Sequence, residues 1–307
     1  MGSELMELFP REYRGLWGRV CGAQEHLQEI RLRAEKPVAV LLRGKEWFVT
    51  GQGEWTGDIQ KARCASSKEV RAVLKHICDY SPYAYEDELR RGYMTLAGGH
   101  RVGIVGETVM SGGEIRTVKN VSALNIRIAH QIKGAADDIV PLLYERGVLQ
   151  NTLIISPPGC GKTTLLRDMI RQVSDGNGYS EGLTVGVVDE RSELAGCYMG
   201  IPQNDMGVRT DVLDGCPKQL GMLMLLRSMS PRVIAIDELG SAEELQALQV
   251  ASVCGCNIIA TAHGVDRKDV ERRFGFSAGE LEKVFRLLIY LCRKNGNCVV
   301  EKIEKTG

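Results

Sequence analysis

The stretch from Asn151 to Val173, NTLIISPPGCGKTTLLRDMIRQV, restricts the folds open to this chain more than any other. It opens with an apolar run of strand length, Asn151 to Ser156, and passes through a loop of prolines and glycines. Leu165, Leu166, Met169, Ile170 and Val173 then recur at helical spacing. A buried strand that turns straight into an amphipathic helix is the first half of a parallel β-α-β unit. Further strand-like and helix-like segments alternate beyond it, so the spacing predicts a parallel sheet with helices on its faces.

The loop carries Gly161, Lys162 and Thr163 in the order of a phosphate-binding loop, with Ser156 where that pattern has its first glycine. A helix start offers unpaired backbone N–H groups and the positive end of its dipole to an anion. Pro157 and Pro158 lack an N–H, so Pro158 only lines the cradle and its donors come from Gly159, Cys160, Gly161, Lys162, Thr163 and Thr164. Lys162 is placed to reach the β- and γ-phosphates of ATP, and Thr163 to hold Mg2+. Ser156 would be strained, by about 1–2 kcal/mol, only if its position needed a positive φ.

Three later runs end in polar groups. Val233 to Ile236 closes on Asp237 and Glu238. Asp237 would fix the magnesium through its water shell, and Glu238 would orient or deprotonate an attacking water. VGVVDERSELAG closes on Asp189, Glu190, Arg191 and Glu193. Glu190 or Glu193 could share water activation with Glu238, or the segment could be a salt-bridged loop. NIIATAHG closes on Thr261, Ala262 and His263. Ligands of open parallel sheets sit at the carboxyl ends of strands, which places His263 to contact a γ-phosphate.

Residues 1–130 read as a separate mixed α/β domain, and 131–307 as the domain of the phosphate loop. In the first, PVAVLLRGKEWFVT is a hairpin about Arg43 and Gly44, and Ser66 with Glu69 forms a capping box ahead of a helix. Ser111-Gly112-Gly113 is a turn between strands, with EIRTVKNV and ALNIRIAH as further strands. QIKGAADDIVPLLYERGVLQN is predicted as a helix leading into the second domain.

The chain has 39 lysines and arginines against 39 aspartates and glutamates, a balance that argues against a stable nucleic-acid partner. No secretory signal and no apolar run of membrane-spanning length is present, so the chain is expected to be cytoplasmic. Its ten cysteines lack Cys-x-x-Cys spacing, and Cys254 with Cys256 falls two ligands short of a zinc site.

Phosphate loop, acidic strand end, Asp-Glu strand end and histidine strand end, in that order, resemble the RecA-like secretion ATPases of type II and type IV systems. The wording of SPPGCGKTTLLRD, VVDERSELAG, RTDVLDGCPK and AIDELGSAEELQALQVASVCGCNIIATAHG is more similar still to the stage III sporulation AA family of spore-forming bacteria. The resemblance implies a RecA-like P-loop NTPase domain with a central, mostly parallel sheet, preceded by a smaller mixed α/β domain. It also implies a homo-oligomeric ring, a hexamer, working on the mother-cell side of the mother cell–forespore channel complex and associated peripherally with its membrane proteins. Arg101, in GGHRVGIVGE, and Arg127, in NIRIAH, match stretches from which such motors extend arginines to phosphates. The chain departs from those motors in lacking a tetracysteine insert and in having Asp-Glu rather than Gly-Glu at the second acidic motif. The rival readings are a nucleic-acid-dependent ATPase of the same fold and a nucleotide-binding scaffold without turnover. A GTPase would need an Asn-Lys-x-Asp motif, and an ABC ATPase a Leu-Ser-Gly-Gly signature; neither is present.

Overall fold

The computed structural model describes residues 2–78, 85–294 and 297–306. The chain separates into two compact units, residues 1–130 and 131–307.

The first unit is built on antiparallel strands: β1 (Leu27–Arg33), β2 (Ala39–Leu42), β3 (Lys45–Val49), β4 (Trp55–Thr56), β5 (Tyr93–Thr95), β6 (Arg101–Ser111) and β7 (Glu114–Arg127). Their order across the sheet is β4-β3-β2-β1-β7-β6-β5. Ile30, Leu32, Leu124, Ile126, Val102 and Ile104 share one face, as the period of two requires. That face is buried with Trp17, Val70, Val73 and Ile77 from the helices α1 (Arg14–Val20) and α2 (Ser67–Ile77). Both expected hairpin turns form: Arg43 and Gly44, at φ 49° and 77°, join β2 to β3, and Gly112 with Gly113 joins β6 to β7. The two strands expected between Glu114 and His130 are instead one long strand, β7, whose pairing with β6 shifts register beside Asn120 (φ 47°). Only half of the capping box is made. Ser66 Oγ accepts from the Glu69 amide at 3.1 Å, but the Glu69 carboxylate pairs with Arg63.

Residues 131–150 correct the expected helix. They form turns, a short 3-10 segment at Val140–Leu143 and a two-residue ladder joining Tyr144–Glu145 to Val148–Leu149. Gly134 and Gly147 take positive φ, and Pro141 denies a helix its amide. The helical spacing of apolar residues here reflects burial of Ala136, Ile139, Val140, Leu143 and Leu149 against the second core.

The second unit is a seven-stranded sheet whose strands are β8 (Thr152–Ser156), β9 (Val185–Asp189), β10 (Thr210–Asp214), β11 (Val233–Ile236), β12 (Asn257–His263), β13 (Leu287–Lys294) and β14 (Asn297–Lys305). The order is β10-β9-β11-β12-β8-β13-β14, parallel except for the terminal β13–β14 hairpin. Helix α3 (Lys162–Asp175) buries Leu165, Leu166, Met169, Ile170 and Val173 on one face of it. The other face is covered by α4 (Lys218–Ser228), α5 (Ala242–Val253), α6 (Arg267–Phe274) and α7 (Glu280–Val284). Ile154 packs on the α3 side of this sheet while Leu153 and Ile155 pack on the side of α4 to α7, so β8 is clamped from both faces. Each such side chain contributes roughly 1.5–3 kcal/mol, against about 0.5–1.5 kcal/mol for a single hydrogen bond. Packing therefore sets where the strand ends lie, and the polar groups there inherit a rigid frame.

Candidate functional site

The strand order places β12 between β8 and β11, so groups at its end lie between the phosphate loop and Asp237. Ser156 closes β8 in extended backbone, fully buried, with its hydroxyl donating to the Pro157 carbonyl at 2.9 Å. The strain considered for a non-glycine at this position does not arise. Positive φ is confined to two glycines of the loop, Gly159 and Gly161, both at 73°. Gly161 caps α3 without contributing a side-chain acceptor. The first-turn amides of α3 are thus left to an outside anion, as a phosphate cradle requires.

Lys162 follows, only 5% exposed. Its Nζ lies 3.6 Å from Glu238 Oε1 and 3.1–3.2 Å from both ring nitrogens of His263. His263 Nε2 lies 2.6 Å from Glu238 Oε1. The tautomer with its proton on Nε2 satisfies both neighbours, donating to the carboxylate and accepting from Lys162 at Nδ1. Burial alone would raise the proton affinity of Glu238. The His263 hydrogen bond and the nearby charges of Lys162 and Arg191 outweigh it and hold the carboxyl below the usual glutamate range. Arg191 Nη1 completes the set at 3.1 Å from Glu238 Oε2.

Asp237 ties three elements together. Thr163 Oγ1 donates to its Oδ2 at 2.7 Å, and Thr261 Oγ1 to its Oδ1 at 2.5 Å. The same Thr261 hydroxyl accepts from the Glu238 amide at 2.8 Å, using both capacities of one buried group. Glu238 itself has φ 58°, a left-handed backbone that strains a non-glycine residue by about 1–2 kcal/mol. The Thr163 hydroxyl and the Asp237 carboxylate are hard oxygen donors that suit magnesium, and Lys162 with the α3 amides suits phosphates, so the residues present fit both groups.

The third acidic strand end is arranged otherwise. Asp189 is 3% exposed, and its carboxylate accepts from the amides of Glu193, Leu194 and Ala195 at 2.8–3.0 Å. Burial pushes its proton affinity up, and these three donors pull it back only in part. Arg167, from α3, donates to the carbonyls of Glu193 and Leu194, both at 2.6 Å. The loop after β9 is therefore sewn shut around Asp189. Glu190 and Glu193 line a cleft shared with Lys218, Asp237 and Glu238. Lys218 lies 3.5 Å from Glu190 Oε2 and 2.6 Å from the Glu238 carbonyl oxygen. Sequence reasoning missed Lys218. The available signal was its position, since a lysine opening a helix sits against the dipole.

Arg101 and Arg127 belong to the first unit. They face each other directly across β6 and β7, and Arg127 also lies opposite Glu29 on β1. Arg127 Nε is 3.4 Å from Glu29 Oε1, and the Arg101 guanidinium stacks 3.7 Å over the Tyr93 ring. Two residues far apart in sequence thus form one cationic row. Among the described residues, no cluster of three or more histidines, cysteines or acids forms a ready metal site. The Cys256 thiol donates to the Pro231 carbonyl at 3.0 Å, a structural contact. No helix of the described residues is long and apolar enough to cross a membrane.

Stage III sporulation protein AA of Bacillus subtilis is 37% identical over 307 residues, spanning 99% of this chain and 96% of that one. Among solved structures, the ATPase DotB of Legionella pneumophila superposes with a TM-score of 0.60 at 16% identity, covering 94% of this chain and 78% of that one. The pilus retraction motor PilT, solved with bound ADP, gives 0.62 at 16% identity, over 93% and 81%. The expected RecA-like secretion-ATPase fold is borne out by both. The profile of the family described as "Sporulation stage III, protein AA" matches residues 3–306. The chain belongs to the stage III sporulation protein AA family.

Proposed function

We propose that the chain hydrolyses ATP to ADP and phosphate as one subunit of a homo-oligomeric ring, a hexamer. The ring would energise or assemble the channel complex between mother cell and forespore, from the mother-cell cytoplasm and against that complex's membrane proteins. The observation that carries the reading is one hydrogen-bonded network that joins Thr163 of the loop to Asp237 and, through His263, Lys162 to Glu238. The relatives support it: one is a stage III sporulation protein, and two neighbours in fold are an ATPase and a pilus motor.

In this reading the α3 amides and Lys162 grip the β- and γ-phosphates. Thr163 and Asp237 would hold magnesium, which when bound would supply positive charge to the phosphates. Glu238 has its proton affinity held low, which makes it a weak base at neutral pH and favours orienting the water over stripping it. As the water oxygen bonds to the γ-phosphorus, the bridging P–O bond breaks, its electron pair leaves with ADP, and the proton lost by the water passes to an oxygen of the released phosphate. His263 keeps Glu238 in place and senses the γ-phosphate. Glu190 and Glu193 stand at the cleft as auxiliary acids. Arg101 and Arg127 are proposed to stabilise phosphate charge within the ring, a task suited to guanidinium forks.

Phosphate release by the wild type and by Lys162→Ala, with solution mass measured with and without ATP and magnesium, tests the proposal. Turnover by the wild type alone supports it. Equal inactivity in every oligomeric state sinks the hydrolase reading and leaves a scaffold. Stimulation of turnover by nucleic acid would favour the rival motor.

A further inference from the structure

Lys218 breaks two rules at once. It is the first residue of α4, where the positive end of the helix dipole disfavours a cation. Its side chain is also only 11% exposed, and a buried ammonium needs strong partners. It has three: the Glu238 main-chain oxygen at 2.6 Å, Glu244 Oε1 at 3.3 Å and Glu190 Oε2 at 3.5 Å. The shortest of these goes to the carbonyl of the residue with the left-handed backbone.

The turn after β11 is pinned group by group. The Glu238 amide donates to Thr261 Oγ1, and the Leu239 amide to the Thr261 carbonyl at 2.7 Å. The Gly240 amide donates to Glu244 Oε2 at 2.8 Å. Lys218 takes the Glu238 carbonyl and, with its remaining protons, the other oxygen of that same Glu244. One ammonium thereby fastens the turn to the start of α4 and the start of α5. It also draws in Glu190 from the end of β9.

We infer that Lys218 is a positioning residue, which holds the strained turn at Glu238 so that its carboxylate is aimed at Lys162 and His263. The inference rests on the hydrolase reading of this site. It touches no phosphate itself and acts through Glu238. Misplacing a reacting group by about 1 Å lowers rates by as much as a hundredfold, so the effect belongs in turnover rather than in nucleotide affinity.

The test compares Lys218→Met, Lys218→Gln and Lys218→Arg in the full-length chain. Phosphate release, affinity for ADP, thermal melting and hydrogen exchange of the 237–241 backbone are measured for each. The expected result is that Lys218→Met lowers kcat at least about tenfold, with KM and ADP affinity within about twofold, and speeds exchange at Leu239 and Gly240. Lys218→Arg, which keeps a charged donor, should recover much of the turnover. A kcat for Lys218→Met within twofold of the wild type overturns the inference, as does a loss confined to KM. Should Lys218→Met fail to fold, the Gln and Arg variants decide, and equal turnover in both overturns it. A wild type without turnover would sink the hydrolase reading instead. Exchange at 237–241 would then still judge Lys218, with unchanged rates counting against it.

Discussion

The ends of β9 and β11 are neighbours in the sheet and level in register, with Val188 opposite Ile236. Each is a buried apolar run that closes on an aspartate, and by sequence alone they look equivalent. Their surroundings separate them. Asp189 accepts from three amides of its own following loop, whereas Asp237 accepts from two hydroxyls that belong to other elements. Amides are fixed donors, and a carboxylate surrounded by them is committed to shaping the loop. Hydroxyls rotate and can give up a bond, so a carboxylate held by them stays available to another cation. In the proposed hydrolysis the kind of donor around an acid, rather than its place at a strand end, separates the loop-shaping Asp189 from the magnesium-facing Asp237.

Replacing Asp237 by Ala is the largest break to expect. Turnover should fall by roughly two to three orders of magnitude, the scale of several kcal/mol of lost charge stabilisation, with a smaller drop in melting temperature than Asp189→Ala gives, since the orphaned hydroxyls of Thr163 and Thr261 can rotate to other acceptors. Phosphate release alongside calorimetry reads both, and a collapse of stability would erase the distinction from Asp189. Asp189→Ala should act the other way. It leaves three amides without their acceptor, so stability should drop by about 3 kcal/mol, or on the order of 10 °C in melting temperature. A melt unchanged from wild type would show that the loop does not depend on Asp189.

A gentler test uses pH. Glu238 must be ionised to accept from water, and its proton affinity is held low, so the acid limb of turnover should lie below the ordinary glutamate value of about 4.3. His263→Ala removes a lowering contact and leaves the burial, so the limb should move to higher pH. Turnover followed from about pH 3 to about pH 7 checks the direction, and an unmoved limb would detach His263 from Glu238. Ser156→Gly should do least. Ser156 is extended, so nucleotide affinity should stay within about twofold while stability falls by about 0.5–1 kcal/mol, as expected for glycine in a strand. Tighter binding in titration would show that the loop was strained after all.

These contrasts also mark what can be read from residue order. An apolar run ending in a polar group is a local pattern, and it locates β11 and β12 to the residue and the ends of β8 and β9. Asp189's partners are the amides that follow it, and nothing in their side chains announces them. Lys218 comes from a helix 20 positions before Glu238 and meets it only through tertiary packing. Arg101 and Arg127 become a pair only once β6 and β7 set their register. The segment 131–150 was misread because its apolar spacing records burial, while Gly134, Pro141 and Gly147 govern its backbone.

The position of β8 has a consequence for how this chain comes into being. Its neighbours in the sheet, β12 and β13, are both made more than 100 residues later, and so is Cys298 of the β13–β14 hairpin, whose thiol donates to the Cys160 carbonyl of the loop. While the ribosome is still working through that interval, the glycine-rich loop has no sheet on either flank to hold it. On the proposed reading, competence to bind nucleotide therefore arrives only once β12 and β13 have been made and have closed around β8.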